Sequence, residues 1–87
     1  MTLSIEVVDR GGLVLSEAGI DRIVVRRREA EHCPGSEVAI CPHHGALLMQ
    51  TQACRLRLIT GGDIRRVDVR AGVLEVLDDK VTLVVSP

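Results

Sequence analysis

The sequence has no phenylalanine, tyrosine or tryptophan among its 87 residues, only three cysteines and three prolines, and almost no net charge. Each shortage removes a class of function. Without aromatic rings there is no stacking platform for unpaired bases, on which single-stranded nucleic-acid binding usually rests. A formal net charge of −1 also lacks the basic excess that phosphate backbones demand, so no nucleic-acid partner is expected. No apolar run approaches the roughly 20 residues needed to cross a bilayer as a helix. The opening MTLSIEVV has neither the basic start nor the long apolar stretch of a secretory signal. An odd cysteine count with no C-x-x-C pair reads as free thiols at Cys33, Cys41 and Cys54 in a reducing, cytoplasmic compartment.

What the chain does have is branched aliphatic residues in short runs. Its length suits one domain over residues 1–87, burying about 60–65% of its unfolded surface. In TLSIEVV, Leu3, Ile5 and Val7 share one face and Thr2, Ser4 and Glu6 the other, a period of two. Gly11-Gly12 breaks that run and LVLSE follows, which predicts a hairpin. IDRIVVRR and SEVAIC are further strands, and after an irregular loop come ALL, RLRLI, IRRVDV, VLEVL and VTLVVS. Thr60-Gly61-Gly62-Asp63 supplies residues tolerant of positive φ between two of these, and Asp78-Asp79-Lys80 does similar work between the last two. Nine to ten short strands without helices predict an all-β fold, a β-sandwich or flattened barrel.

Two clusters invite a chemical reading. In AICPHHGALL a cysteine, a proline and two histidines stand together at Cys41, Pro42, His43 and His44. CPHHGA resembles the first half of a Rieske iron–sulfur motif, which needs two thiolates and two imidazoles. Only Cys54 follows, with no histidine after His44, so the set is one ligand short and Rieske chemistry is excluded. A zinc set would be Cys33, Cys41, one of His43 or His44, and Cys54, and this defines the alternative function: a small metal-binding or redox-sensing β-domain. Structural zinc, however, is usually held by two close ligand pairs, and Cys33 and Cys41 are too far apart for one such turn. A core or half-buried thiol at the end of an alternating strand is the simpler account of Cys41. The second cluster, RRREAEH, would suit an acidic partner or lipid headgroups, but a solvated rim partly neutralised by Glu29 and Glu31 is the simpler reading. No Ser/His/Asp set, paired carboxylates or phosphate-cradling glycine loop is present, so no catalytic residue is assigned.

With its flanks, the loop resembles the amino-terminal domain of the epsilon subunit of the rotary ATP synthase. That family carries Gly-Glu-x-Gly-x-x-Pro-Gly-His-Ala-Pro-Leu-Leu, then a Leu-Arg-x strand, a Ser-Gly-Gly-x-x-Glu-Val strand and a Val-Thr-Val-Leu strand. Glu37, Pro42, His44, Leu47 and Leu48 fall on the first motif; Gly72, Leu74, Glu75 and Val76 on a later one; Val81, Thr82 and Val84 on the last. The resemblance covers nearly the whole chain in order. It implies a two-sheet β-sandwich that catalyses nothing and holds no cofactor. It implies a central-stalk rotor part, packed on the gamma subunit and on the polar loops of the membrane c-ring. The membrane would be met only through that complex, at its cytoplasmic side. Glu37, Pro42, His43 and His44 are the residues the resemblance places at the partner.

The sequence also departs from that family. Pro-Gly-His has become Pro42-His43-His44, losing a glycine suited to positive φ. Ala-Pro has become Gly45-Ala46, Cys54 stands where glycine is usual, and RRREAEHCPG is roughly three residues longer than its counterpart, as surface loops tolerate. The family's helical hairpin does not follow Val85, so rotation is expected to be coupled without self-inhibition. These changes suit a divergent copy serving an alternative ATPase.

Overall fold

The alternation in the sequence becomes nine strands: β1 (Leu3–Asp9), β2 (Gly12–Ile20), β3 (Arg22–Arg26), β4 (Glu37–Ile40), β5 (Leu47–Thr51), β6 (Cys54–Thr60), β7 (Asp63–Val69), β8 (Gly72–Leu77) and β9 (Lys80–Val85). They are seen in a computed structural model that describes residues 1–29 and 35–86, among which there is no helix. A five-stranded sheet runs β2-β1-β9-β8-β5 and a four-stranded sheet runs β4-β3-β6-β7. Every pairing is antiparallel except β1 with β9. The expected all-β sandwich is therefore the fold.

The period of two decides what goes inside. Leu3, Ile5 and Val7 of β1 are at most 1% exposed, while Ser4, Glu6 and Val8 point outward. Leu56 and Leu58 of β6 are buried while Arg55, Arg57 and Ile59 alternate with them on the outside. Leu74, Val76, Val81 and Leu83 complete the same aliphatic core from β8 and β9. Each such side chain contributes about 1.5–3 kcal/mol on burial, enough to hold two sheets without any aromatic ring.

Three tight turns join neighbouring strands at glycine or aspartate. Gly12 and Gly61 adopt positive φ in the β1–β2 and β6–β7 hairpins, as the sequence predicts. The β8–β9 turn places Asp78 and Asp79 at φ 50° and 62°, the double positive φ of a two-residue hairpin loop.

Two strands are longer than their sequence runs suggest. β2 extends beyond LVLSE to Ile20 because Ala18 and Gly19 together oppose Ser4, a bulge that Gly19 permits at φ 72°. Ile20 thereby enters the core at the end of β2 instead of opening the next strand. β5 continues past Leu48 because Met49 and Thr51 turn inward while Gln50 turns out. Along one side, an isolated bridge between Arg27 and Thr51 ties the sheets, flanked by backbone bonds from Arg28 N–H to the Gln50 carbonyl and from Gln52 N–H to the Arg26 carbonyl. Along the other, Asp21 N–H donates to the Ile59 carbonyl and Arg65 pairs with Glu17. The sandwich is thus laced along both sides, which justifies the description as a flattened barrel.

Gly72 carries a tighter constraint than any turn glycine. A Cβ there would lie 2.0 Å from the Val84 carbonyl oxygen, a backbone atom. Gly72→Ala is therefore expected to destabilise the fold by about 1–3 kcal/mol through forced displacement of β9. Urea denaturation checks this, with Gly62→Ala, which meets no atom within 4 Å, as the tolerated control.

Candidate partner-binding corner

Four residues singled out in the sequence fall in two places. Pro42, His43 and His44 form the corner between β4 and β5, and Glu37 begins β4. The length of β4 and one further residue separate Glu37 from Pro42, about 16 Å of extended chain. Glu37 instead meets Arg57 of β6, whose Nη2 donates to its carboxylate. The corner and Glu37 are therefore not one constellation.

The corner is held by the β8–β9 turn. His43 adopts φ 65°, the left-handed conformation that the family's glycine suggested for this position, and histidine is among the side chains that tolerate it best. Its N–H donates to Asp79 Oδ1 at 2.7 Å, across 36 positions of sequence. His44 Nδ1 lies 3.2 Å from the Gly45 carbonyl oxygen, so the tautomer protonated at Nδ1 donates there. Pro42 and His44 are half-buried and His43 is exposed. The two histidines, with Met1, Gly45, Ala46, Val76, Leu77, Asp78 and Asp79, border an open groove of about 530 Å³. His43, Asp78 and Asp79 are the three non-glycine residues with positive φ among the described residues, and all three line it.

The alternative metal set does not assemble from its described members. Ile40 pairs with Ile23 and Ile23 with Leu58, so Cys41 lies just beyond that row at one end of the four-stranded sheet, exposed rather than buried as expected because the strand has already ended at Ile40. Cys54, paired with Val69, begins β6 at the other end. Five residue steps along the strand direction separate them, roughly 16 Å, whereas thiolates on one zinc ion sit about 2.3 Å from it. No group of three His, Cys, Asp or Glu side chains suited to a metal occurs among the described residues. Cys33, the remaining member of that set, lies outside them.

Three features escaped the sequence reading. One is Asp79 as the acceptor that fixes the corner; its position in a turn was legible, its distant partner was not. Another is the Arg65–Glu17 pair that closes the β2 side. The last is a set of arginines on the outside of the four-stranded sheet, foreshadowed by the alternation in CRLRLIT, where Arg55 and Arg57 face away from Leu56 and Leu58.

No family model matches the sequence, and no curated protein matches it. Among solved structures the fold is similar to a chain in the cryo-EM structure of the central stalk and c-ring of the Tetrahymena thermophila mitochondrial ATP synthase. The TM-score is 0.70 at 16% identity, covering 100% of this chain and 65% of that one. The likeness is one of fold.

The bond to Asp79 separates two roles of that side chain. Asp79→Asn keeps both an acceptor and tolerance of positive φ and should change stability by under about 0.5 kcal/mol. Asp79→Ala loses both, and a loss of about 1–3 kcal/mol is expected. Thermal melts of the two variants, with amide exchange at His43 faster in Asp79→Ala alone, check the assignment.

Proposed function

We propose that this chain is a non-catalytic rotor part of a rotary ATP synthase or ATPase, seated in the central stalk between the gamma subunit and the c-ring. The observation that carries the reading is the fold likeness over the whole chain to a chain of such a central stalk and c-ring assembly. The motif positions Pro42, His44, Gly72, Glu75 and Thr82 add to it, because they fall on the structural features that shape the corner and the β8–β9 ladder.

A part that passes load between two neighbours needs two separated contact surfaces and a stiff body between them. The five-stranded sheet supplies both. At one end stands the corner with Pro42, His43 and His44, suited to the polar loops of the ring. Toward the other end, Leu13, Val8, Val84 and Val73 pair in register across β2, β1, β9 and β8 on the outer face. Leu13, Val84 and Val73 are 61%, 51% and 42% exposed, an aliphatic row open to a partner. Lys80 to Val84 spans about 13 Å, so the row and the corner are distinct patches. In this reading gamma covers the row. The described residues contain no helix long and apolar enough to cross a membrane, and the membrane is met through the ring.

The test is reconstitution with the gamma subunit and c-ring of the same cell. A stoichiometric complex with gamma, weakened about tenfold or more by Val73→Asp or Val84→Asp, is expected. So is restored ion-coupled ATP hydrolysis when the chain is added to enzyme lacking this subunit. A chain that binds neither gamma nor ring would overturn the proposal.

A further inference from the structure

The outer face of the four-stranded sheet carries five arginines, Arg22, Arg26, Arg55, Arg57 and Arg66, against two carboxylates, Glu37 and Asp68. The register fixes this. Val24 pairs with Ala39 on one side and Arg57 on the other, and Arg57 pairs with Arg66, so all four side chains share one outward row. The adjoining row is Arg22, Ile59 and Ile64. Arg57 meets Glu37 and Arg55 meets Asp68 at 3.1 Å, while among the described residues no carboxylate lies within ion-pair distance of Arg22 or Arg66.

We propose that this face is a docking surface for an acidic, amphipathic segment of a protein partner. It lies on the opposite sheet from the aliphatic row and needs nothing from the stalk reading. Three observations point to that occupant.

Like charges directly opposite on neighbouring strands destabilise a sheet, yet Arg57 of β6 and Arg66 of the edge strand β7 face each other. An incoming carboxylate between them removes the repulsion.

The cations are also all arginine. The chain has ten arginines and a single lysine, Lys80, and that lysine lies on the other sheet. Arginine is the weakly hydrated, bidentate partner of carboxylates and is enriched in protein interfaces, where lysine is depleted.

Finally, the arginines are interleaved with aliphatic side chains. Val24 is 9% exposed although it points outward, covered by its long-chained neighbours, and Ile64, paired with Ile59 in the adjoining row, is 46% exposed. Carboxylates with apolar residues between them match this pattern. Nucleic acid does not, because the chain as a whole is slightly acidic and has no aromatic ring to stack on a base.

The probe is a fluorescent amphipathic peptide of about twenty residues with glutamates at i, i+4 spacing beside leucines, titrated into the full chain by anisotropy. Its glutamine counterpart, a DNA duplex and anionic phospholipid vesicles are run alongside. Binding of the glutamate peptide alone is expected, weakening about tenfold as salt rises from 50 to 300 mM. R57E/R66E should abolish it, and R10E/R70E, with the same change in net charge on other surfaces, should leave it within about twofold. R66Q relieves the like-charge pair, so it should melt no lower than the parent while binding the peptide severalfold more weakly. Equal binding of the glutamate and glutamine peptides would overturn the proposal. So would equal loss in both double variants, preference for DNA or vesicles, or no peptide binding by the parent chain.

Discussion

The parallel ladder between β1 and β9 is the contact on which the rest of the structure depends. It sets the first and last strands side by side at the centre of the five-stranded sheet, from Ser4 opposite Lys80 to Val8 opposite Val84. Without it that sheet falls into a β5–β8–β9 piece and a β1–β2 hairpin, the latter only marginally stable in water alone. The ladder begins with Ser4 N–H donating to the Asp79 carbonyl at 3.0 Å. The side chain of the same Asp79 accepts from His43. One turn residue therefore aligns the central ladder with its backbone and anchors the corner with its carboxylate. A pairing this distant in sequence forms late, since loop closure must be met before the contact repays it.

Much of this fold is legible in the sequence because strands in a two-layer sandwich have one wet face and one dry face. Leu3-Ile5-Val7 and Leu56-Leu58 alternate with polar residues for that reason, and the glycine and aspartate turns are read from their tolerance of positive φ. The division into sheets is not legible. Which strand lies beside β1 is decided by burial over the whole chain, and nothing local in VTLVVS marks it as a parallel neighbour. β2 defeats local reading in another way: Gly19 looks like a stop but serves as a bulge, so the strand runs on until Ile20 reaches the core. At the candidate site, the unusual residues of the corner stand out by type. That Glu37 turns to Arg57 and His43 to Asp79 follows only from strands meeting in space.

The two outer faces have opposite chemistry built on one shared core. One sheet shows a row of valines and a leucine, the other arginines in register with aliphatic residues. A strand of alternating pattern can vary every second residue without touching the inside, so the faces are free to diverge while the core is kept. The all-aliphatic core favours this division. Its packing depends on shape and volume, with no aromatic ring and with the Thr51 hydroxyl as the one buried polar side-chain atom left without a partner among the described residues.

Strain is unevenly distributed over the molecule, and its location has a physical meaning. A non-glycine residue in the left-handed region costs on the order of 1 kcal/mol, and such residues persist where surrounding contacts over-determine them. Here His43, Asp78 and Asp79 meet at one end of the sandwich. Asp78 and Asp79 are explained by their hairpin, whose twist demands positive φ at both positions. His43 has no such local demand; the chain there turns a corner that glycine would take more easily. What holds it is the bond to Asp79, and what it gains is an imidazole displayed on the rim of an open groove beside His44. An exposed side chain kept at the expense of backbone comfort is poorly explained by packing, because it packs little. In the proposed rotor role, contact of this corner with the polar loops of the ring would account for it; what the structure itself supplies is the Asp79 carboxylate that fixes the turn.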